Sequence, residues 1–299
     1  VRGWDHSLSN IASQQFQTPG KSSGLIEVFR QPYLTSLIVH KELRARYRGS
    51  IFGMLWSYAK PLTQFLVFYF ALGVFMKMNR AVENYVIYMF SGVVLMNYFS
   101  EVFGNATRSV VGNAPLVKKI YLPRELFPMS AMWVALVHFL PQVAVLFIGA
   151  LIFGWHPTVW GVLAILAAFL IVSMFALGIG LFSGALNVFY RDSENFVDLI
   201  LMMATWVSPV LYTWFSVRDV LDAHGWHWLW WVYEANPLTI AVELFHYGFW
   251  QPTLVDTAAN PYLPNLGLWT GIALLISLGA VIFGEVSFRR MDPKFAQEL

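Results

Sequence analysis

No Asp, Glu, Lys or Arg occurs in residues 126–190, which read LFPMSAMWVALVHFLPQVAVLFIGALIFGWHPTVWGVLAILAAFLIVSMFALGIGLFSGALNVFY. A water-soluble domain has little use for so long an uncharged stretch, because about a quarter of its residues are normally charged. Two apolar runs, 127–153 and 159–183, are separated only by a short turn around Gly154 and Pro157. Each run has the ~20 residues that a helix needs to cross the hydrocarbon of a bilayer. The stretch therefore predicts a helical hairpin within a membrane.

Four further apolar runs extend this interpretation to the rest of the chain. Hydrophobic residues make up 58% of the sequence and charged residues 12%. These fractions differ from the ~45–50% and ~25% that are typical of soluble domains. The sequence predicts an all-α integral membrane protein with six transmembrane helices, the other four at about 56–76, 85–103, 196–215 and 266–286.

The Lys and Arg residues lie mostly on one side of these six spans. Sixteen of the 19 fall in segments that would face the same side, whereas Lys77, Arg80 and Arg218 would face the other. Cytoplasmic loops keep the excess of Lys and Arg, so both termini are expected in the cytoplasm. This topology accounts for the net charge of +2, and we expect no nucleic-acid partner. The polar first 20 residues predict no cleavable signal peptide.

The segment before the first span is predicted to contain a flexible cytoplasmic arm, residues 1–24, and an interfacial helix, residues 25–48. The end of that helix is strongly basic, with Arg44, Arg46 and Arg48 directly before the span. Two interpretations stay open: a stop signal that contacts anionic headgroups, or an entrance that binds a diphosphate. Guanidinium groups favour the second, since they bind phosphate oxygens in a bidentate manner.

Two connections are longer than a tight turn requires. Residues 104–126 predict a short helix at about 114–121 on the cytoplasmic surface, which is either a contact for a soluble partner or an ordinary basic loop. Residues 216–265 predict short helices at about 217–250 that re-enter the outer leaflet, because the apolar stretch 238–250 is too short to span. A metal site at His224 and His227 lacks an obvious third ligand.

No catalytic or nucleotide-binding motif is complete. A phosphate-binding loop ending at Gly20-Lys21-Ser22 requires glycine at position 15, which is Gln. ATP hydrolysis is therefore expected on another chain, with no metal or cofactor on this one. Gly180 and Gly184 are four residues apart, a spacing that favours close packing of two helices.

Ionisable residues within the predicted spans are few. Glu101 and Asp198 lie towards the inner ends of their spans, and His138 lies within the third. A proton-coupled transporter is disfavoured, because its carboxylates would be expected near the middle of the membrane.

Aromatic residues make up 17% of the chain. Most are expected at the membrane interfaces, where Trp and Tyr are enriched. Some on the first and fifth spans could line a pathway on which sugar rings stack, and the candidates are Trp56, Tyr58, Phe65, Tyr69, Trp206, Tyr212 and Trp214.

Four segments together resemble the type-2 ABC exporter permeases that export O-antigen, capsule, teichoic acid and related cell-wall glycans such as galactan. The resemblance covers about residues 30–290. The segments are RYRGSIFGMLW at 46–56 with KPL at 60–62; NYF at 97–99 with NAPLVKKIYLPRE at 113–125; NVFYRD at 187–192 with SPVLY at 208–212; and NPL at 236–238.

This resemblance implies a non-enzymatic permease subunit in a bacterial inner membrane, acting as a homodimer on two copies of an ATP-binding subunit that binds ATP and Mg. The substrate would be a polysaccharide on a polyprenyl diphosphate lipid, seated at Arg44, Arg46 and Arg48. Contacts with the ATP-binding subunit would come from Pro115, Leu116, Lys118, Lys119, Tyr121 and Arg124.

Two alternatives remain open at this point. One is a type-2 ABC exporter of a small lipid or drug, which would need no diphosphate site. The other is a membrane glycosyltransferase that uses Asp192, Glu194 and Asp198, although the neighbouring Arg191 suggests charge pairing instead.

Overall fold

A computed structural model describes residues 24–120, 122–255 and 260–299. The side chains at positions 54, 57, 58, 60 and 61 lie outside this description. The described residues form helices and no strands. The predicted arm lies almost wholly outside the described residues, and so does Tyr121.

The N-terminal part forms short helices before and after the basic segment. Pro32 opens the second helix, where its missing N–H removes no hydrogen bond. Gly49 ends this region at φ 77°, a left-handed conformation that favours glycine. The helices are α1 (Leu25–Arg30), α2 (Pro32–Tyr47), α3 (Trp56–Phe68) and α4 (Met78–Ala81), with a 3-10 turn at Gly53–Leu55 and a π-helical extension of α3 at Tyr69–Phe75.

Within the described part of the chain, four helices are long and apolar enough to cross a membrane. They correspond to four of the six predicted spans, so the prediction is confirmed for a multi-pass helical protein with these four candidates. The first three are α5 (Tyr85–Gly112), α7 (Leu126–Ile152) and α8 (Val159–Phe189), with α6 (Ala114–Lys119) between α5 and α7. The fourth candidate span, Leu266–Glu298, consists mainly of the last long helix.

The other two predicted spans are shorter. Helix α3 contributes an apolar stretch at Leu62–Phe75. Helix α9 (Ser193–Val207) has 15 residues, or roughly 22 Å at 1.5 Å per residue. It ends where it does because Ser208 precedes Pro209, and a residue before proline disfavours the helical conformation.

The outer segment contains short helices that differ sharply in burial. All residues of Pro237–Phe245 are buried, whereas Trp228 and Trp231 of the preceding helix are exposed. The side chain of Asn236 accepts a hydrogen bond from Leu238 N at 3.1 Å and caps the third helix. The helices are α10 (Trp214–Ala223), α11 (His227–Ala235) and α12 (Pro237–Phe245), followed by a π-helical turn at His246–Trp250 and a 3-10 turn at Gln251–Thr253.

The C-terminal part is one long helix with a short extension: α13 (Leu266–Met291), a 3-10 turn at Asp292–Lys294 and α14 (Phe295–Glu298). At Gly284, α13 crosses α8 so closely that a Cβ on residue 284 would overlap the carbonyl oxygen of Gly178.

The predicted close packing at Gly180 and Gly184 is confirmed, and the partner is α5. A Cβ at Gly180 would lie 2.7 Å from the Cβ of Ala106, and one at Gly184 would lie 2.9 Å from Ala106 O. Small residues thus bring α5, α8 and α13 together.

Candidate functional site

The basic end of α2 is fixed to two membrane helices by a polar cluster. Arg46 donates a hydrogen bond to Glu101 of α5. His138 of α7 lies 2.6 Å from the same carboxylate oxygen through Nδ1. Tyr47 OH lies 2.5 Å from His138 Nε2. With a proton on Nδ1, His138 donates to Glu101 and accepts from Tyr47, so each member of the cluster is satisfied.

The three predicted diphosphate-binding arginines are therefore not equivalent. Arg46 is already paired with Glu101. Arg44 and Arg48 are exposed, and neither forms an ion pair with any residue that the structure describes. Two guanidinium groups are thus exposed without an ion-pair partner in the described part of the chain, while the third is engaged within the chain.

A second contact fixes the middle of α2 to the junction between α5 and α6. Asn113 is only 5% exposed, and its Oδ1 accepts a hydrogen bond from Lys41 Nζ. Its Nδ2 donates to Glu42 Oε1 at 3.2 Å and to Ser109 O at 2.9 Å. The amide of one buried side chain therefore joins α2 to the start of α6.

Helix α6 presents an exposed basic face, at the position of the short helix predicted at about 114–121. Lys118 and Lys119 are exposed at its end, and Pro115 is exposed at its start. Leu116 is half-buried, while Val117 belongs to a buried cluster that also contains Ile38 of α2 and Phe288 of α13. One face of α6 is therefore packed against apolar side chains, and its two lysines lie on the exposed face.

Arg124, which is also predicted to contact the ATP-binding subunit, faces into the chain. Its Nη1 lies 2.9 Å from Asp292 Oδ1, and its guanidinium lies over the ring of Phe295, 5.8 Å from the centroid. This contact ties the segment after α6 to the C-terminal extension. The assignment of Arg124 to a contact with another subunit stays a prediction.

The predicted pathway aromatics fall into three groups. Trp56 and Trp206 are 60% and 57% exposed. Phe65 stacks on Tyr69 at 6.1 Å between ring centroids, and Tyr212 OH donates to Trp206 O at 2.6 Å. Trp214 is 8% exposed, and its Nε1 donates to Pro261 O at 3.1 Å, so it packs within the outer segment.

The side chain of Tyr58 lies outside the described residues. The assignment of all seven aromatic residues to a pathway stays a prediction.

The acidic residues at the start of α9 are paired, but not with Arg191. Arg108 of α5 contacts both oxygens of Asp198 at 2.6 Å and lies 3.7 Å from Glu194 Oε1. The predicted charge pairing therefore comes from a neighbouring helix. These ion pairs engage two of the three carboxylates on which the glycosyltransferase alternative depended, Glu194 and Asp198.

The outer segment contains a second polar arrangement. Glu234 is 5% exposed, and burial raises its pKa to about 7, opposed by the charge of Arg218. The Arg218 guanidinium lies over the ring of Trp230 at 5.5 Å. His227 Nδ1 lies 2.9 Å from Asp222 Oδ1. No group of three metal-ligating side chains is found among the described residues.

Comparison with known proteins places this arrangement in a family. The model of the ABC-2 type transporter family matches residues 33–250, which include α2, the polar cluster and α6. The chain belongs to the ABC-2 type transporter family. As a member, it is a multi-pass inner membrane protein and a transmembrane subunit. The family implies that ATP is bound and hydrolysed by a separate ATP-binding subunit.

Curated relatives of this ABC-2 type transporter match along most of their length. It is 27% identical over 259 residues to the O-antigen export system permease protein RfbA of Klebsiella pneumoniae, covering 86% of this chain and 93% of the relative. It is 28% identical over 193 residues to the RfbA protein of Myxococcus xanthus, covering 64% and 73%. It is 23% identical over 266 residues to the capsule polysaccharide export inner-membrane protein CtrC of Neisseria meningitidis, covering 87% and 94%.

Sequence reasoning missed the roles of Tyr47 and Asn113 in this transporter. His138 was recognisable only as an ionisable residue inside a span, a feature that often marks a functional position. Its partners come from α2 and α5, so only the packing of three separate helices brings them together.

Proposed function

We propose that this ABC-2 type transporter is the permease subunit of an ATP-driven exporter that moves a polysaccharide linked to a polyprenyl diphosphate out of the cytoplasm. The observation that carries this proposal is the similarity to O-antigen export permeases over 86% of the chain and 93% of the relative. The polysaccharide would be of the O-antigen, capsule, teichoic acid or galactan type.

The pathway would form between two copies of the chain. Helix α9 buries only Val197 and Ala204 within one copy. Exposed apolar residues on α3 and α9 would be covered in a homodimer. This would let these two shorter helices complete the six crossings, with α10–α12 as re-entrant helices of the outer leaflet. These residues are Leu62, Leu66, Val67, Phe70, Phe196, Leu199, Met202, Met203 and Trp206.

The substrate would enter at the basic end of α2. Arg44 and Arg48 have no intramolecular ion pair to break within the described part of the chain, so they would contact the diphosphate first. Arg46 would join after exchanging the Glu101 carboxylate for a phosphate oxygen. Hydrogen bonds to charged groups contribute roughly 1.5–3 kcal/mol each, which offsets part of the cost of taking phosphate charge from water.

The ATP-binding subunits, two per exporter, would dock on α6 through Lys118 and Lys119. Both termini would lie in the cytoplasm, with α2 and α6 on that side of the membrane. The exposed position of both lysines and the buried support at Val117 are the observations in favour.

The test is export of a defined glycan. The chain and its ATP-binding subunit are expressed in an O-antigen export mutant, and surface glycan is compared with the lipid-linked glycan that stays in the cytoplasm. We expect surface glycan to be restored by the wild type and not by Arg44→Glu with Arg48→Glu. If the complex assembles normally, a drug stimulates its ATPase activity and no glycan reaches the surface, the result would favour the small-molecule exporter.

A further inference from the structure

Helix α2, which carries Arg44 and Arg48, is bonded to the rest of the chain at two places. Its end is fixed to α5 through Arg46 and to α7 through Tyr47. About one turn earlier, Lys41 and Glu42 are bonded to Asn113 at the start of α6. The first contact holds α2 against the membrane helices, whereas the second ties it to the short helix on the cytoplasmic surface.

We infer that Asn113 is a positioning residue, which carries a displacement of α6 to α2 and so changes the presentation of Arg44 and Arg48 to the substrate. This inference rests on the proposed function, because it assigns α6 to the ATP-binding subunit and α2 to the substrate. Asn113 itself touches neither ligand.

The geometry of the amide supports this role. Asn113 ends α5 and begins α6, so it lies at the joint between a membrane helix and the surface helix. Both ends of its amide are used: Oδ1 accepts from Lys41, and Nδ2 donates to Glu42 and to Ser109 O. Burial makes these bonds costly to lose, since an unsatisfied buried polar group costs about 1–3 kcal/mol.

Apolar packing reinforces the same connection. Ile38 of α2 and Val117 of α6 belong to one buried cluster at the cytoplasmic end of the protein. The polar link and this cluster lie on the same two helices, so a displaced α6 moves α2 rather than sliding beneath it. The contact of Arg46 with Glu101 then acts as the pivot.

The variants that test this role change the charge or the hydrogen-bonding groups at the contact between Asn113 and Glu42. Asn113→Asp replaces the Nδ2 donor with an oxygen that faces Glu42 Oε1, so this hydrogen bond between α2 and α6 becomes a contact of like charges, while Lys41 keeps its contact with Oδ1. Combining it with Glu42→Gln restores the hydrogen bond, because the new amide on α2 can donate to the new carboxylate at position 113. Glu42→Ala removes the acceptor without adding charge, and Asn195→Asp is the matched control, since it makes the same chemical change at an exposed position on α9.

The first readout is glycan exported per ATP hydrolysed by the full complex with its ATP-binding subunit. We expect Asn113→Asp to lower this ratio at least five-fold, the low end of the roughly 5–150-fold range of couplings between sites. Glu42→Ala should lower it in the same direction. The double variant should return to within about two-fold of wild type, as expected for two residues in direct contact.

The second readout needs no substrate and separates this inference from the proposed function. Spin labels are placed at Tyr33→Cys on α2 and Ile148→Cys on α7, both exposed positions in a chain without cysteine. We expect ATP binding to change the distance between the labels in wild type and in the double variant, but not in Asn113→Asp. A wild type that moves α2 yet exports no glycan would contradict the proposed function alone. An unchanged distance response in folded Asn113→Asp would overturn the role of Asn113.

Discussion

The Tyr88 hydroxyl of α5 donates a hydrogen bond to Tyr212 O at 2.7 Å, where the backbone has left α9. The same hydroxyl lies 3.0 Å from Pro209 O, and Tyr85 OH donates to Leu211 O at 2.9 Å. Carbonyl groups freed by the end of a helix need partners wherever water is scarce. Two buried tyrosines therefore stabilise the irregular segment between α9 and α10.

Removing the Tyr88 hydroxyl should destabilise this segment. We expect Tyr88→Phe to lower the free energy of unfolding by about 1–3 kcal/mol, since buried carbonyls lose their donor while the ring stays in place. Thermal unfolding in detergent measures the change. Tyr262→Phe is the control, because Tyr262 is exposed. Equal stability of the two variants would show that the carbonyls of Pro209 and Tyr212 find other donors.

The crossing of α8 and α13 should not tolerate a methyl group at Gly284. A Cβ there would overlap Gly178 O, so Gly284→Ala must separate the two helices. We expect loss of monodisperse protein in size-exclusion chromatography. Gly279→Ala on the same helix has no atom within 4 Å of the new Cβ, and it should match or exceed wild-type stability. A well-behaved Gly284→Ala protein would contradict the close crossing.

The arginines of α2 should not be replaceable by lysine if they bind a diphosphate. Arg44→Lys with Arg48→Lys keeps the charge and removes the guanidinium forks, so we expect export to fall with normal insertion. Arg46→Lys should also lower protein stability, because Arg46 is bonded to Glu101. Unchanged export in the first variant would leave Arg44 and Arg48 as topology signals.

Charge reversal on α6 should weaken its contact with the ATP-binding subunit. Lys118→Glu with Lys119→Glu changes two exposed side chains without disturbing the buried Val117. We expect weaker copurification of the ATP-binding subunit and a drop in export, while the chain itself stays folded. Arg80→Glu is a suitable control, since Arg80 is exposed and is predicted to face the other side of the membrane. If the double variant exports normally, the docking surface lies elsewhere.

The outer segment should lose stability as the pH rises. Burial raises the pKa of Glu234 from its usual 4.5 to about 7, so the folded protein binds this proton more tightly than the unfolded chain does. The contribution is fully present below pH ~4.5 and is lost as the pH rises through ~7. We expect Glu234→Gln to flatten thermal stability over this window. A slope identical to that of wild type would assign the pH dependence to other groups.

Helix placement is largely predictable because hydrophobicity is a local signal. The uncharged stretch 126–190 indicates α7 and α8 through its composition alone, and the spacing of Gly180 and Gly184 indicates a close crossing. The predicted span over α9 is longer than the helix, because the effect of Pro209 on Ser208 interrupts an otherwise apolar run.

Pairing between distant residues is not predictable in the same way. Arg191 is adjacent in sequence to the acidic residues of α9, yet Arg108 on another helix pairs with Glu194 and Asp198. Arg46 resembles Arg44 and Arg48 in sequence context, although only Arg46 reaches Glu101. Sequence distance carries no information on which helix faces which, so these partners depend on the packing of the helices.

Composition alone predicts a helical membrane protein, because the transfer of side chains between water and hydrocarbon depends on residue type and not on packing. The tertiary structure alone decided that Asn113 joins α2 to α6, that His138 lies between Tyr47 and Glu101, and that Tyr88 supports the end of α9. The physical reason is directionality: burial depends on composition, whereas a hydrogen bond forms only when packing brings a donor within about 3 Å of its acceptor.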